Sequence, residues 1–179
     1  MRHIAIISSS IRPDRKSHRV ALYFEKYLAE HQLASTEMLD LREYNFPIFE
    51  NPLKSQEKPA ANVLEFAQKI KAADGLIIVT PEYNGGVPAS LKNAIDLLLE
   101  EWRHKPVAIA TVSAGPFGGT QALVALQFML WKIKALTITE QFCVATVQKA
   151  YDEAGNATDK AATDKLAQPF IKELLGRRV

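Results

Sequence analysis

Apolar residues along the chain fall into two kinds of run that take turns. Short continuous runs, such as Ile4-Ala5-Ile6-Ile7 and Leu76-Ile77-Ile78-Val79, predict strands covered on both faces. Longer segments repeat their apolar residues at helical spacing, as in Val20, Phe24, Tyr27 and Leu28, or Val63, Phe66, Ala67 and Ile70. The pattern predicts strands at His3 to Ser8, Ser35 to Leu41, Gly75 to Thr80, Val107 to Ser113 and Leu136 to Val147. After the two helices just named it predicts three more, at Ala89 to Trp102, Thr120 to Lys134 and Asp159 to Leu175. Strands alternating with helices imply βαβ units, a parallel sheet and an α/β three-layer sandwich.

The predicted helix Ala89 to Trp102 has more apolar surface than one stripe. Leu91, Ala94, Ile95 and Leu98 share a face, while Leu97, Leu99 and Trp102 point elsewhere. A helix apolar on two faces needs two covers, so this helix is expected to meet both the sheet and a partner subunit. The segment Arg42 to Pro59, with Pro47, Pro52 and Pro59, is the long irregular connection. The tail Gly176-Arg177-Arg178-Val179 is expected to fray.

Length fits one domain over residues 1–179, which on folding buries roughly 70% of its unfolded surface. The formal charge of +2 is too small to imply nucleic acid. The first apolar run is too short for a signal peptide and no segment approaches a membrane span, so a cytoplasmic protein without membrane contact is expected. The single cysteine, Cys143, permits neither an internal disulfide nor a C-x-x-C site, so any redox chemistry must come from a cofactor. Its apolar neighbours Phe142, Val144 and Ala145 predict a buried thiol. The four histidines show no metal-ligand spacing.

Chemistry concentrates in three strand-to-helix loops. The first runs from Ser9 to Arg19 and combines hydroxyls and guanidinium groups with a helix start for which Ser17 is the predicted N-cap. Unpaired amides and the positive dipole end of a helix suit a phosphate, although a cap with solvated basic residues needs no ligand. It is neither a Walker loop nor G-x-G-x-x-G, and Ser8-Ser9-Ser10 stands where a receiver domain would need acids. The second loop, Thr80-Pro81-Glu82-Tyr83-Asn84-Gly85-Gly86-Val87-Pro88, reads equally as a turn and as backbone packed against a flat heterocycle. Glu82 has no paired carboxylate or histidine nearby in sequence, which favours a structural or interface role over acid-base catalysis. The third, Ser113 to Thr120, holds Gly115, Gly118 and Gly119, more glycines than a tight turn requires. Hydrolase chemistry lacks both G-x-S-x-G and a base.

Together the loops resemble the NADPH-dependent FMN reductase family of flavodoxin-like proteins. Ser9-Ser10-Ile11-Arg12 with Ser17 is similar to the family's G-S-x-R-x-x-S phosphate loop, with a slightly longer gap. Pro81 to Asn84, then Pro88 to Asp96, match its P-E-Y-N and P-x-x-L-K-N-A-I-D segments. The resemblance implies a five-stranded parallel sheet in the order 2-1-3-4-5 with helices on both faces. It implies that Ser9, Ser10, Arg12 and Ser17, with the amides of His18 and Arg19, hold an FMN phosphate. Pro81, Glu82, Tyr83, Asn84 and Gly85 would then line the flavin ring, and Ser113, Gly115, Gly118 and Gly119 complete its pocket. The chain departs from the family at Ser9, where glycine is usual, and at Gly86, where serine is frequent. The implied activity is two-electron transfer at FMN N5 from NADPH or NADH to a small acceptor (a quinone, free flavin, azo compound or metal oxyanion) in ping-pong fashion, with no catalytic side chain. The resemblance also implies a homodimer or homotetramer built on the helix 89–102 region. A flavodoxin-type electron carrier, and a scaffold that has lost the cofactor, are the alternatives.

Overall fold

The structure is a computed structural model and describes residues 1–177; Arg178 and Val179, half of the tail expected to fray, lie outside it. Its elements run in the order β1 (Arg2–Ser8), α1 (Ser17–Glu30), β2 (Ala34–Asp40), α2 (Leu41–Tyr44), α3 (Ala61–Ala72) and β3 (Gly75–Pro81). There follow α4 (Ala89–Leu97), β4 (Pro106–Val112), α5 (Thr120–Lys132), β5 (Leu136–Thr137), β6 (Phe142–Val144), α6 (Val147–Ala150) and α7 (Lys160–Gly176). All strand pairs are parallel and the order is 2-1-3-4-5, as the family resemblance implied, with β6 also paired to β4.

Side chains alternate across the sheet and so divide the interior in two. Ile4, Ile6, Ile77 and Val79 face Val20 and Phe24 of α1 and Phe170 of α7. Ala5, Ile7, Leu76 and Ile78 face Phe66 of α3, Ile95 of α4 and Leu126 of α5. This is why the central strands read as unbroken apolar runs. The chain leaves β1 for β2 and returns to the other side of β1 as β3, which makes the β1/β3 boundary the switch point of the sheet.

Three expectations need correction. The last strand, foreseen as continuous from Leu136 to Val147, is two short pieces. Between them the Glu173 carboxylate of α7 accepts from the amides of Thr139 (3.1 Å) and Glu140 (2.8 Å); the Glu140 amide is the one that would follow Leu136 and Ile138 in pairing with β4. The helix foreseen from Ala89 to Trp102 stops at Leu97; Leu98 is extended, and a single 3-10 turn, Glu100–Trp102, folds back. The indole of Trp102 donates to the Ile95 carbonyl at 3.2 Å, and Leu97, Leu98 and Trp102 are buried. Of the surplus apolar face, Leu97 and Trp102 are thus covered by the chain's own core, while Leu99 stays half-buried. Cys143 is exposed: it lies between two inward-facing residues of an edge strand, and the pleat turns it outward.

Candidate active site

The carboxyl ends of β1, β3 and β4 are neighbours, and the three loops leaving them surround a cleft of about 520 Å³. Ser8, which ends β1, and Ser9 and Ser10, which begin the first loop, are all fully buried. Ser9 is fixed through its backbone: its amide donates to the Val79 carbonyl (3.1 Å) and its carbonyl accepts from the Ser90 hydroxyl (2.6 Å). Ser10 Oγ pairs with the Tyr83 hydroxyl at 2.7 Å, which joins the first loop to the second. The Arg12 guanidinium sits 5.7 Å from the Tyr83 ring centre in cation-π geometry.

Ser17 is not the cap it was expected to be. The residue before α1 is Lys16, already helical and making no side-chain cap bond, so Ser17 is the first helical residue. Its hydroxyl, on a residue only 3% exposed, has no hydrogen-bond partner among the described residues, although Ser17 lines the cleft. A buried orphan hydroxyl beside uncapped helix amides is costly unless something polar occupies the cleft. His18 stands behind it, with Nδ1 3.0 Å from Ser8 Oγ and 3.9 Å from Asp40 Oδ2. Burial, then the nearby Arg15 charge, holds its imidazole below the usual histidine range. Arg19 points away: its amide donates to the Lys16 carbonyl and its guanidinium to the Tyr151 carbonyl at 2.9 Å.

The second loop is a turn as well as a wall. Tyr83 and Gly86 exchange backbone hydrogen bonds of 2.9 and 3.0 Å, and the residues between them, Asn84 (φ 52°) and Gly85 (φ 76°), form a two-residue left-handed turn. Pro81, Glu82 and Tyr83 line the cleft; Asn84 and Gly85 form the exposed tip and do not. Glu82 Oε2 accepts from the amides of Gln121 (2.9 Å) and Ala122 (3.2 Å), capping the N-terminus of α5 from another loop. That use is in keeping with the structural role favoured from sequence.

In the third loop the glycines divide by function. Gly118 (φ 63°) would place a Cβ 3.0 Å from Cys143 Cβ, and Gly119 (φ 78°) one 3.1 Å from Thr111 Cβ, so the chain's own packing requires both. Gly115 meets nothing within 4 Å and lines the cleft beside Ser113 and Gly119. Sequence reasoning missed Asp14, Arg15, Lys16 and Phe117 of the lining, the apolar Val112, Ala114 and Val147 beside them and, outside it, Asp40. The density of positive charge in the first loop was a signal for Arg15, but the partner of that charge lies 25 residues away.

Residues 2–149 match the family described as NADPH-dependent FMN reductase. The chain belongs to that family. Its activity class is accordingly that of an oxidoreductase working with FMN and a reduced nicotinamide. The quinone reductase of Escherichia coli K12 is 34% identical over 128 residues, 68% of each chain. An NAD(P)H-dependent FMN reductase of a Nectria species is 31% identical over 203 aligned positions, 98% of each chain. Among solved structures, the flavoenzyme NAD(P)H:(acceptor) oxidoreductase FerB of Paracoccus denitrificans superposes with a TM-score of 0.81 over all of both chains at 23% identity, a likeness of fold.

Proposed function

We propose that residues 1–179 form one FMN-binding unit that oxidises NADPH or NADH and reduces a small acceptor, of which a quinone is the leading candidate. The observation that carries this reading is the orphan hydroxyl of Ser17, a cleft-lining residue at the uncapped N-terminus of α1; the buried Ser9 hydroxyl just behind the lining is orphaned in the same way. A phosphate there would satisfy the hydroxyl and the first amides of α1 together, with Ser10 and Arg12 alongside. Pro81, Glu82 and Tyr83 would then hold one edge of the ring system, and Ser113, Gly115 and Gly119 the other. Ser9, His18, Arg19 and Gly118 would act from behind the lining, and Asn84 and Gly85 from the exposed turn, by fixing its loops.

When bound, FMN supplies two-electron transfer at N5, which alternates between nicotinamide and acceptor in a ping-pong cycle. The chain's own share is to bind, to orient and to leave one side of the cleft open for a flat partner. Glu82, held by two amides, takes no part in proton transfer.

A homodimer or homotetramer belongs to the same reading, with its surface moved from the one foreseen. Val124, Phe128 and Trp131 form an exposed apolar stripe on α5, which carries no acidic residue and a single lysine, so two copies can meet there without opposed charges. No helix among the described residues is long and apolar enough to cross a membrane. Dependence on reduced nicotinamide supports a cytoplasmic setting.

The test is to load the purified protein with FMN, remove the excess, and follow NADPH and NADH oxidation with a quinone, with free FMN and with no acceptor. Flavin binding with quinone-dependent turnover is the expected result. Binding without nicotinamide oxidation would make the protein a carrier, and failure to bind FMN would overturn the reading.

A further inference from the structure

The anion loop contains an arginine that is already engaged. Arg15 lines the cleft, yet its guanidinium forms a two-pronged pair with both carboxylate oxygens of Asp40, and the same Nη1 donates to the Ser10 carbonyl at 2.9 Å. The two side chains are only 9% and 13% exposed. Asp40 is the last residue of β2, paired in register with Ser8, and its Oδ1 also accepts from the Arg42 amide at 3.0 Å, the cap of α2. The Arg15 amide donates to the Arg12 carbonyl at 3.3 Å, which closes the loop on itself.

From these contacts we infer that Arg15 and Asp40 act as positioning residues: their pair ties the anion loop to the end of β2 and so sets Ser10 and Arg12 for a phosphate that Arg15 itself does not touch. Two physical points support this. An Asp40 carboxylate without a counter-ion would repel an arriving phosphate, and the guanidinium neutralises it where it stands. A planar fork held by two carboxylate oxygens and a carbonyl has a fixed direction, which one flexible cation in solvent would lack. Ser10, held at its carbonyl by Arg15 and at its hydroxyl by Tyr83, is thereby fixed at both ends.

This inference rests on the FMN reading, and its test separates the two. FMN and riboflavin affinities are measured by flavin fluorescence for the unaltered protein, Asp40→Asn, Arg15→Met and the double variant, with amide hydrogen exchange of residues 9–16 followed in parallel. If the pair positions the loop, both single variants weaken FMN by about tenfold, riboflavin changes by less than about twofold, and the double variant is no worse than the singles. Exchange of the loop amides quickens in all three. If Arg15 is instead a phosphate ligand held back by Asp40, Asp40→Asn tightens FMN, and the inference fails. An unchanged ratio of FMN to riboflavin affinity also overturns it, leaving a purely structural pair. Should the unaltered protein bind neither flavin, the function reading falls, while hydrogen exchange still decides whether the pair orders the loop. If Asp40→Asn does not fold, Arg15→Lys, which keeps the charge and loses the fork, makes the same comparison.

Discussion

Two helices begin at the same cleft and end their amides in opposite ways. At α5 the protein supplies its own anion: Glu82 reaches across from the loop after β3 and accepts from Gln121 and Ala122. At α1 no side chain among the described residues does so, and a serine hydroxyl is left buried without a partner among them. Both ends present the same partial positive charge. The difference is that one has been finished within the chain, which ties two walls of the cleft together, while the other stays open. On the proposed reading Glu82 belongs to the architecture and Ser17 to the ligand, although both lie on the same cleft.

The strongest way to break that distinction is to finish α1 as well. Ser17→Asp would put a carboxylate where the phosphate is proposed to sit, and FMN affinity should fall on the order of a hundredfold while the thermal midpoint holds or rises. Unchanged affinity in a fluorescence titration would show that the open end is not the anion site. Removing the finished cap is the converse. Glu82→Ala should cost about 1 to 2 kcal/mol in urea unfolding, and it should weaken riboflavin and FMN alike, because it loosens the ring wall and leaves the anion end intact. A loss confined to FMN would reverse the two roles.

A smaller effect sharpens the α1 side. The folded protein resists protonating His18, since burial and Arg15 hold its pKa below the ordinary 6.5. The unfolded chain takes up that proton first, so stability should decline as the pH falls below about 6.5, with a slope no steeper than ~1.4 kcal/mol per pH unit. His18→Gln should remove that part of the slope in unfolding curves taken from pH 7 to 5. An identical curve would show that His18 does not contribute.

What could be read in the sequence followed the range of the interactions involved. β1, β3 and β4 were legible because burial on both faces leaves a continuous apolar run in the strand itself. The paired loops were legible because their residues are contiguous. Leu97 and Trp102 were misjudged because periodicity reveals a second apolar face without revealing what covers it; the break at Leu98 turns Trp102 back onto its own helix. Cys143 was misjudged by its apolar neighbours, although strand alternation set between Phe142 and Val144 was a usable signal. The glycines showed that something comes close at Gly118 and Gly119, but only the packed chain identifies it as Cys143 and Thr111. The Arg15–Asp40 pair had no local signature, since the pairing of β1 with β2 brings its two members together.

The outward turn of Cys143 has a practical consequence. It is the sole thiol of the chain, its backbone packs on Gly118 of the third loop, and its Sγ lies 3.3 Å from Thr111 Oγ1. One environment-sensitive dye attached there would label the unmutated protein in one-to-one ratio at the rear of the glycine-rich wall. Its emission would then report, in real time and without a flavin signal, each arrival and departure of a molecule on the other side.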